Sequence, residues 1–296
     1  MRKTAVVTAG TAGIGLETAV GLATAGYAVT VVGRNPDRGA RAVERINAAN
    51  PARPGRFLAA DLGSLDDVRV LADRIASDHA ASGDPLTVLV NNVGAMFPRR
   101  VVLGGIEASF VVNHLSPYLL TELLLPTLTA GAPSRIVNVT SGAVGLAKRT
   151  FDAVEPPGGY YGFHWYGRAK LANLAHTLDL AARLDGTGVS VFAADPGGAA
   201  TDMTKGTMTD PGIVSPGLRL LWPLVRRKFE RSTSGPASTA ARPSITAATD
   251  ETLTGRTGVV IGADARPAAP LRAATDPRVV EAVRRLSERH APLSAA

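Results

Sequence analysis

Short apolar runs, separated by segments long enough for a helix, restrict the fold of this chain more than any other feature. Six of them precede residue 195, at 5–7, 28–32, 56–60, 86–90, 135–139 and 189–193, and another lies at 259–261. Their apolar residues are continuous and often β-branched, which is typical of strands buried on both faces. Alternation with helices indicates parallel connections, so we predict a parallel sheet covered on both sides, and a capped final helix over 276–290.

The turn after the first predicted strand is rich in glycine. Residues 8–15 read Thr-Ala-Gly-Thr-Ala-Gly-Ile-Gly, and a helix-length segment follows to residue 25. Glycine lets the chain turn tightly and lets a pyrophosphate approach the N–H groups at the helix N-terminus, where the dipole favours negative charge. A glycine cluster alone is weak evidence, but its position between the first strand and the first helix favours dinucleotide binding.

The end of the second predicted strand distinguishes between two dinucleotides. An acid about 20 residues after the glycines would accept a hydrogen bond from the ribose 2′-hydroxyl of NAD, but the strand ends in Gly33-Arg34-Asn35. A guanidinium suits a 2′-phosphate instead. The alternative is a surface arginine in a polar turn, as Arg38 could be. We favour NADP, and NAD is the weaker alternative.

A predicted helix from His164 to Leu184 carries a tyrosine and a lysine on one face. Tyr166 and Lys170 are four residues apart, so their side chains are neighbours on a helix. A cation close to a phenol lowers the phenol pKa from about 10, toward the range in which it exchanges a proton at neutral pH. Such a pair is also common on solvated helix faces, so by itself it is weak evidence for catalysis.

A proline interrupts the segment from Ile106 to Leu128, which we otherwise predict as a helix. Pro117 has no N–H to donate to the carbonyl of Asn113, four residues earlier, and its ring pushes that carbonyl aside. The freed carbonyl could hold a water. An ordinary kink that only bends the helix is the alternative, and these residues alone do not decide between the two.

Composition excludes several classes of function. The chain has no cysteine, which excludes disulfides and thiolate chemistry, and its five histidines show no metal-ligand spacing. The net charge is +7, but the arginines are dispersed and aromatic residues make up only 5%, which argues against nucleic-acid binding. We expect no metal site, no membrane span and a cytoplasmic location.

The regular alternation fails after residue 202. Between Leu218 and Phe229 leucines and aromatics interleave with arginines. This pattern fits a basic amphipathic helix on a membrane surface, or a lid whose apolar side covers an apolar substrate. The position just after the sixth strand favours the lid, which we assign to residues 202–250. Since no linker or repeat divides the chain, we expect one domain over residues 1–296.

Together these motifs resemble the short-chain dehydrogenase/reductase family, classical type, and most closely its retinol-dehydrogenase-like branch. The resemblance rests on the glycine turn, Asp61, Asn91-Asn92-Val93-Gly94, Asn113, Ser141, Tyr166, Lys170 and Pro196-Gly197. It implies a doubly wound Rossmann fold of three α/β/α layers, with a helical substrate lid. It also implies hydride transfer between NADP and the carbonyl or alcohol of a small, apolar substrate, and it allows a homo-oligomer.

The resemblance also assigns roles to individual residues. Tyr166 would be the acid/base, Lys170 would lower its pKa and hold the nicotinamide ribose, and Ser141 would bind the substrate oxygen. Asn113 would hold a proton-relay water. The cofactor would meet, besides Tyr166 and Lys170, residues Gly10, Thr11, Gly13, Ile14, Gly15, Arg34, Asp61, Leu62, Asn91, Gly94 and Thr201.

Three positions depart from the family pattern. Ala9 stands where the first glycine is expected, Val93 where alanine is usual, and Asp195 where His or Asn commonly precedes Pro-Gly. Ala9 bears on an alternative function, a catalytically weak NADP-binding sensor or interaction protein, because a reshaped turn would weaken cofactor binding. The complete Asn-Ser-Tyr-Lys set favours the enzyme.

Overall fold

The computed structural model describes residues 3–198, 210–232 and 235–294. One sheet dominates it, with the strand order β10-β9-β8-β7-β4-β1-β2-β3. Its strands are β1 (Thr4–Val7), β2 (Ala28–Gly33), β3 (Arg56–Ala59), β4 (Leu86–Asn91), β7 (Ser134–Val139), β8 (Val189–Ala194), β9 (Val259–Ile261) and β10 (Pro267–Ala268). A separate hairpin joins β5 (Val102–Leu103) and β6 (Ile106–Glu107). All pairs in the large sheet are parallel except β9 with β10, which confirms the predicted parallel sheet.

Helices cover the sheet on both faces. They are α1 (Gly13–Thr24), α2 (Pro36–Ala49), α3 (Leu65–Ser82), α4 (Ala108–Phe110), α5 (Ser116–Ala130), α6 (Gly162–Arg183), α7 (Pro216–Arg219), α8 (Trp222–Ser232), α9 (Ala237–Thr249) and α10 (Pro277–His290). One apolar layer contains residues of α1, α2 and α9, and a second contains residues of α3, α5, α6 and α10. The strand order reverses between β1 and β4, and at such a point the carboxyl edge of a doubly wound sheet opens a ligand crevice.

Capping side chains explain where several helices begin. The Ser64 hydroxyl accepts a hydrogen bond from the Asp67 N–H at 3.2 Å, and Asp276 accepts one from the Arg278 N–H at 2.9 Å. The same device begins α2, where Asn35 accepts from the Arg38 N–H at 2.9 Å. The sequence predicted only a polar turn here, so helix α2 was not expected.

The helix predicted over 106–128 is wrong at its N-terminal end. Residues up to Glu107 form the hairpin, and the Glu107 carboxylate then caps α4 by accepting from the N–H groups of Ser109 and Phe110. Residues 111–115 form a π-helical turn in which the Ser116 N–H donates to the carbonyl of Val111, five residues earlier. The predicted irregularity before Pro117 is therefore present, as a widened turn.

The segment from α7 to α8 follows the sixth parallel strand β8, where a helical lid is predicted. Leu218 and Trp222 pack against an apolar cluster that includes Tyr166. The other members of that cluster are Met96, Ala143, Phe163, Ile213 and Val214. Among the described residues, no helix is both long enough and apolar enough to cross a bilayer.

Candidate active site

A cleft of about 890 Å³ opens at the carboxyl ends of β1 to β4. Each of the four strand ends contributes to its wall, which places the cleft at the crevice expected for this topology. The lining residues include Ala9, Thr11, Ala12, Gly33, Arg34, Arg38, Asp61, Leu62, Val93 and Gly94. The structure thus brings together five residues predicted to bind the cofactor, namely Thr11, Arg34, Asp61, Leu62 and Gly94.

The glycines of the first turn act mainly by allowing close packing. A Cβ at Gly10 would lie 2.7 Å from Val31 Cγ1, and a Cβ at Gly15 would collide with the carbonyl oxygen of Ala9 and the amide of Asn92. Both positions therefore exclude a side chain, and the start of α1 lies against the turn. Such a cradle fits a pyrophosphate held by backbone N–H groups.

Asn92 holds this turn in place, a role that sequence analysis missed. Its side-chain amide donates to the carbonyl oxygens of Thr8 at 3.2 Å and Ala9 at 3.3 Å. The Thr8 hydroxyl in turn accepts from the N–H groups of Asn92 and Val93 at 3.0 and 3.3 Å. The turn after β4 thus supports the turn after β1.

Asn91 and Thr201 are also predicted to meet the cofactor. The side chain of Asn91 points into the interior, where it donates to Thr121 Oγ1 and Asn138 Oδ1, both at 2.8 Å. The predicted position of Asn91 on the adenosine side stays a prediction, and the contact would fall to the backbone, because side chains alternate along a strand and this one faces α5. Thr201 lies outside the described residues.

The catalytic candidates meet next to this cleft. Tyr166 is buried in α6 and lies close enough to Ser141 for that hydroxyl to lower its pKa. Ser141 follows β7 and caps the turn Gly142–Leu146. Lys170, one helical turn further on, donates to the carbonyl oxygens of Val93 at 3.0 Å and Val139 at 2.9 Å. A Cβ at Gly94 would lie 3.7 Å from both Lys170 Nζ and Asn113 Oδ1, so the lysine and the asparagine reach the wall of the cleft.

Asn113 connects the π-turn to the loop after β4. Its Oδ1 accepts from the Ala95 N–H at 3.0 Å, and its Nδ2 donates to the carbonyls of Ala95 and Ser109, both at 2.8 Å. The side chain is fully buried. It therefore fixes the position of residues 93–95, which also accept the Lys170 ammonium.

The pKa values in this pocket follow from burial. Burial raises the pKa of Tyr166, the charge of Asp195 adds to the rise, and the hydrogen bond with Ser141 opposes it. The expected lowering of this pKa by Lys170 is therefore not what the structure shows. Burial also lowers the pKa of Lys170 to about 7, and its ammonium is engaged by two backbone carbonyls.

Residues 3–212 match the family model described as short chain dehydrogenase. The chain belongs to the short-chain dehydrogenase family. Mouse retinol dehydrogenase 12 is 35% identical over 234 residues, which cover 79% of this chain and 70% of that protein. Bovine dehydrogenase/reductase SDR family member 13 is 36% identical over 76% of this chain, but the match spans only 58% of that protein. The relatives confirm the retinol-dehydrogenase-like branch.

Solved structures agree with the fold. An uncharacterised protein of Mycobacterium paratuberculosis superimposes with a TM-score of 0.70 at 26% identity, over 97% of this chain and 92% of that one. A complex of Pseudomonas aeruginosa RhlG with NADP gives a TM-score of 0.66 at 26% identity, over 89% and 95% of the two chains. The short-chain dehydrogenase family consists of oxidoreductases that use a nicotinamide cofactor.

Ala9, where this short-chain dehydrogenase lacks the first glycine, has a φ of 48°. This left-handed conformation costs a residue with a Cβ roughly 1–2 kcal/mol. The turn has therefore kept the backbone geometry that a glycine would adopt, at a cost in strain.

Asp195 is the second departure whose role the structure explains. Its Oδ1 accepts from the Gly197 N–H at 2.9 Å, which closes the turn after β8. Burial raises its own pKa, and its charge raises the pKa of Tyr166. Asp195 thus shapes the turn and adds to the rise in the pKa of Tyr166.

Arg168, between Tyr166 and Lys170 on α6, was not predicted to have a role. It is only 1% exposed, and its guanidinium lies over the rings of Phe110 and Phe151 at 5.1 and 4.5 Å. It donates to three loop carbonyls, those of Thr150, Ala153 and Val154, at 2.7–3.0 Å. The catalytic helix thus holds the loop that precedes it. A charged residue inside an apolar helix stripe was the one signal in the sequence.

His164 connects the segment before α7 to the turn that follows Ser141. Its Nδ1 lies 2.9 Å from the Leu146 carbonyl oxygen, and its Nε2 accepts from the Ser215 N–H at 3.3 Å. The imidazole therefore bridges the turn after Ser141 and the residue before α7.

Proposed function

We propose that this chain is an NADP-dependent oxidoreductase that interconverts a carbonyl and an alcohol on a small apolar substrate. The observation that carries the proposal is the buried phenol of Tyr166, beside which Ser141 lies. It is buried under an apolar cluster and lies beside a nucleotide-sized cleft. Packing a phenol in the interior does not require a lysine and an asparagine beside it. Proton transfer, by contrast, would use Tyr166, Ser141, Lys170 and Asn113 together.

Tyr166 supplies the proton in this proposal. Because burial and Asp195 raise its pKa, the phenol is protonated at neutral pH and can donate to the oxygen of a bound carbonyl. Ser141 orients that oxygen through its hydroxyl. The nicotinamide supplies or takes the hydride when bound. The phenol is thus in the form that carbonyl reduction uses, whereas alcohol oxidation requires its prior deprotonation.

Lys170 and Asn113 position the pocket. The ammonium already donates to two carbonyls at the cleft wall and would also hold the nicotinamide ribose. Asn113 fixes the loop that carries one of those carbonyls. Both residues thus connect cofactor binding to the place where Tyr166 transfers its proton.

The choice of NADP rests on Arg34. This exposed side chain lines the cleft directly after β2, at the position where an NAD-binding fold carries an acid for the 2′-hydroxyl. A residue with a side chain does not fit easily at Gly33, because a Cβ there would lie 2.9 Å from the Thr11 side chain. The NADP complex of RhlG, a structural neighbour, agrees with this choice.

The apolar nature of the substrate rests on the cluster around Tyr166. Met96, Phe163 and Ile213 are buried there, with Leu218 and Trp222 of the lid segment against them. Residues on this side offer few polar partners for a substrate, so binding energy would come mainly from apolar contact. A cytoplasmic location stays a prediction from the sequence.

A substrate panel tests the proposal. The protein would be incubated with apolar aldehydes, ketones and alcohols of increasing length, and nicotinamide absorbance followed with NADPH and with NADH. Turnover should be found with NADPH, rising with substrate apolarity, and should vanish in Tyr166→Phe. Tight NADPH binding without turnover on any substrate would favour the sensor instead, and absence of nucleotide binding would contradict both.

A further inference from the structure

The lid segment, residues 216–232, has two unlike faces. Its inner face packs on the active site through Leu218 and Trp222. On the other side Leu220, Leu221 and Leu224 are 86%, 53% and 67% exposed. Leu220 is the most exposed large apolar side chain among the described residues. Three neighbouring leucines in water are costly, and a patch of this kind marks an interaction surface.

The same segment is strongly basic. It contains five basic residues, Arg219, Arg226, Arg227, Lys228 and Arg231, and one acidic residue, Glu230, which gives a net charge of +4. Arg219 is engaged inside the lid, where it donates to the carbonyls of Gly212 and Val214 at 3.0 Å. Arg226 and Arg227 are exposed, and Arg227 follows Leu224 by three residues on α8, so the two share a face.

We propose that this outer face docks on an anionic lipid bilayer. The leucines would enter the boundary between headgroups and acyl chains, and the arginines would lie beside lipid phosphates. An anionic bilayer has an apolar interior under a negatively charged surface. The outer face, with exposed leucines followed by exposed arginines, offers a partner for each of these two layers. A second copy of the chain matches poorly, because two surfaces of net charge +4 would repel each other.

Docking would place the mouth of the active site at the membrane. The inner face of the same segment contacts the cluster around Tyr166, so a substrate dissolved in the bilayer would reach the pocket without crossing water. This consequence rests on the proposed function, since it assumes an apolar substrate. The docking itself does not, and it is tested without any turnover.

Vesicle flotation with the full chain tests the docking. Vesicles of phosphatidylcholine alone are compared with vesicles of phosphatidylcholine and phosphatidylglycerol, at low and high salt. The protein should float with the anionic vesicles, and salt should weaken this binding because it screens exposed charges. Each arginine beside an anionic surface should contribute roughly five-fold in partitioning.

Two double variants separate the apolar and the electrostatic contributions. Leu220→Ser with Leu224→Ser should lower partitioning to both kinds of vesicle by roughly ten-fold or more, because exposed leucine side chains no longer enter the bilayer. Arg226→Gln with Arg227→Gln should lower it by roughly 25-fold on anionic vesicles, and hardly at all on neutral ones.

Matched controls lie elsewhere on the surface. Val70→Ser with Leu293→Ser removes exposed apolar side chains, of which Val70 is 69% exposed on α3. Arg284→Gln with Arg285→Gln removes two exposed arginines on α10 that pair with Glu281, as Arg226 pairs with Glu230. These controls should partition like the wild type, and unchanged melting temperatures should show that every variant is folded.

Three results would overturn the proposal. Wild-type protein that stays in solution with anionic vesicles is one, and control variants that lose as much binding as the lid variants are another. The third is self-association that the leucine variants abolish while vesicles bind nothing, which would assign the face to a second copy. Failure of the substrate panel would leave all these readings unaffected, so the two proposals fail separately.

Discussion

The cleft at the strand ends and the pocket around Tyr166 lie side by side, but they differ in how far water reaches them. The cleft is lined by exposed side chains and turn backbone at four strand ends, among them Arg34 and Asp61. In the pocket Tyr166, Lys170 and Asn113 are all buried. Recognition in the cleft therefore depends on charges that salt can screen, whereas chemistry in the pocket depends on groups whose pKa values burial has moved.

Removing the hydroxyl of Tyr166 tests the pocket and should give the largest loss of turnover. Tyr166→Phe keeps the ring and its apolar contacts but removes the proton donor, so kcat should fall by about 10²–10⁴-fold. NADPH affinity, which depends on the cleft, should hardly change. Stopped-flow turnover and a fluorescence titration of NADPH check the two halves. Turnover above about a tenth of wild type would show that another group supplies the proton.

Removing the cleft arginine should have the converse effect. Arg34→Ala should weaken NADPH binding by about 10- to 150-fold, the range expected for a charge-assisted contact with a phosphate, and leave NADH nearly unaffected. The wild-type preference for NADPH should also shrink as salt is raised. Arg41→Ala, an exposed arginine on the neighbouring α2, is the matched control. Equal loss in both variants would make Arg34 part of a general positive field only.

The charge of Asp195 should affect how the rate of alcohol oxidation in the pocket depends on pH. Alcohol oxidation needs the phenolate of Tyr166, so below the raised pKa its rate should climb about ten-fold per pH unit, while carbonyl reduction stays flat. Asp195→Asn keeps an acceptor for the Gly197 N–H but removes the charge that raises this pKa. Its oxidation profile should therefore move to lower pH. A profile at the wild-type position would show that burial alone sets the pKa.

The smallest effect concerns strain in the cleft. Ala9→Gly relieves a left-handed alanine but adds freedom to the unfolded chain, so we expect a net gain of about 0.5–1 kcal/mol in the free energy of unfolding. This corresponds to a rise of about 2 °C in melting temperature for a chain of this size. Ala12→Gly, at a position with φ of −160°, should give no gain. Scanning calorimetry distinguishes the two.

These two regions also differ in how far the sequence predicted them. Strand ends and glycines are local signals, so the sheet, the first turn and most of the cleft wall could be predicted. The role of Asn92 was missed because adjacent residues of a strand face opposite ways, and it is the Asn92 side chain, not that of Asn91, that reaches the turn. In the pocket, the direction of the Tyr166 pKa shift depends on how much protein surrounds the phenol, which local spacing does not reveal.

Two further elements show the limits of pattern reading. The start of α2 at Asn35-Pro36 looks like a turn, because the same residue types cap helices and form turns. Arg168 was a single charge in an apolar stripe, and its meaning came only from three carbonyls far along the loop. Contacts of this kind join segments that are distant in sequence, and no short window contains them.

The place of Arg168 sets a practical boundary for engineering this scaffold. It shares one helix with Tyr166 and Lys170, and it holds the loop from Thr150 to Val154 through three backbone carbonyls and the ring of Phe151. Exposed loop side chains such as Asp152 can therefore be exchanged, while Phe151 and the loop length cannot. Loops grafted from relatives should be transferred as one cassette with the first three turns of α6, because a loop of another length would no longer meet the guanidinium. Point substitutions at exposed positions of the loop are the safer change.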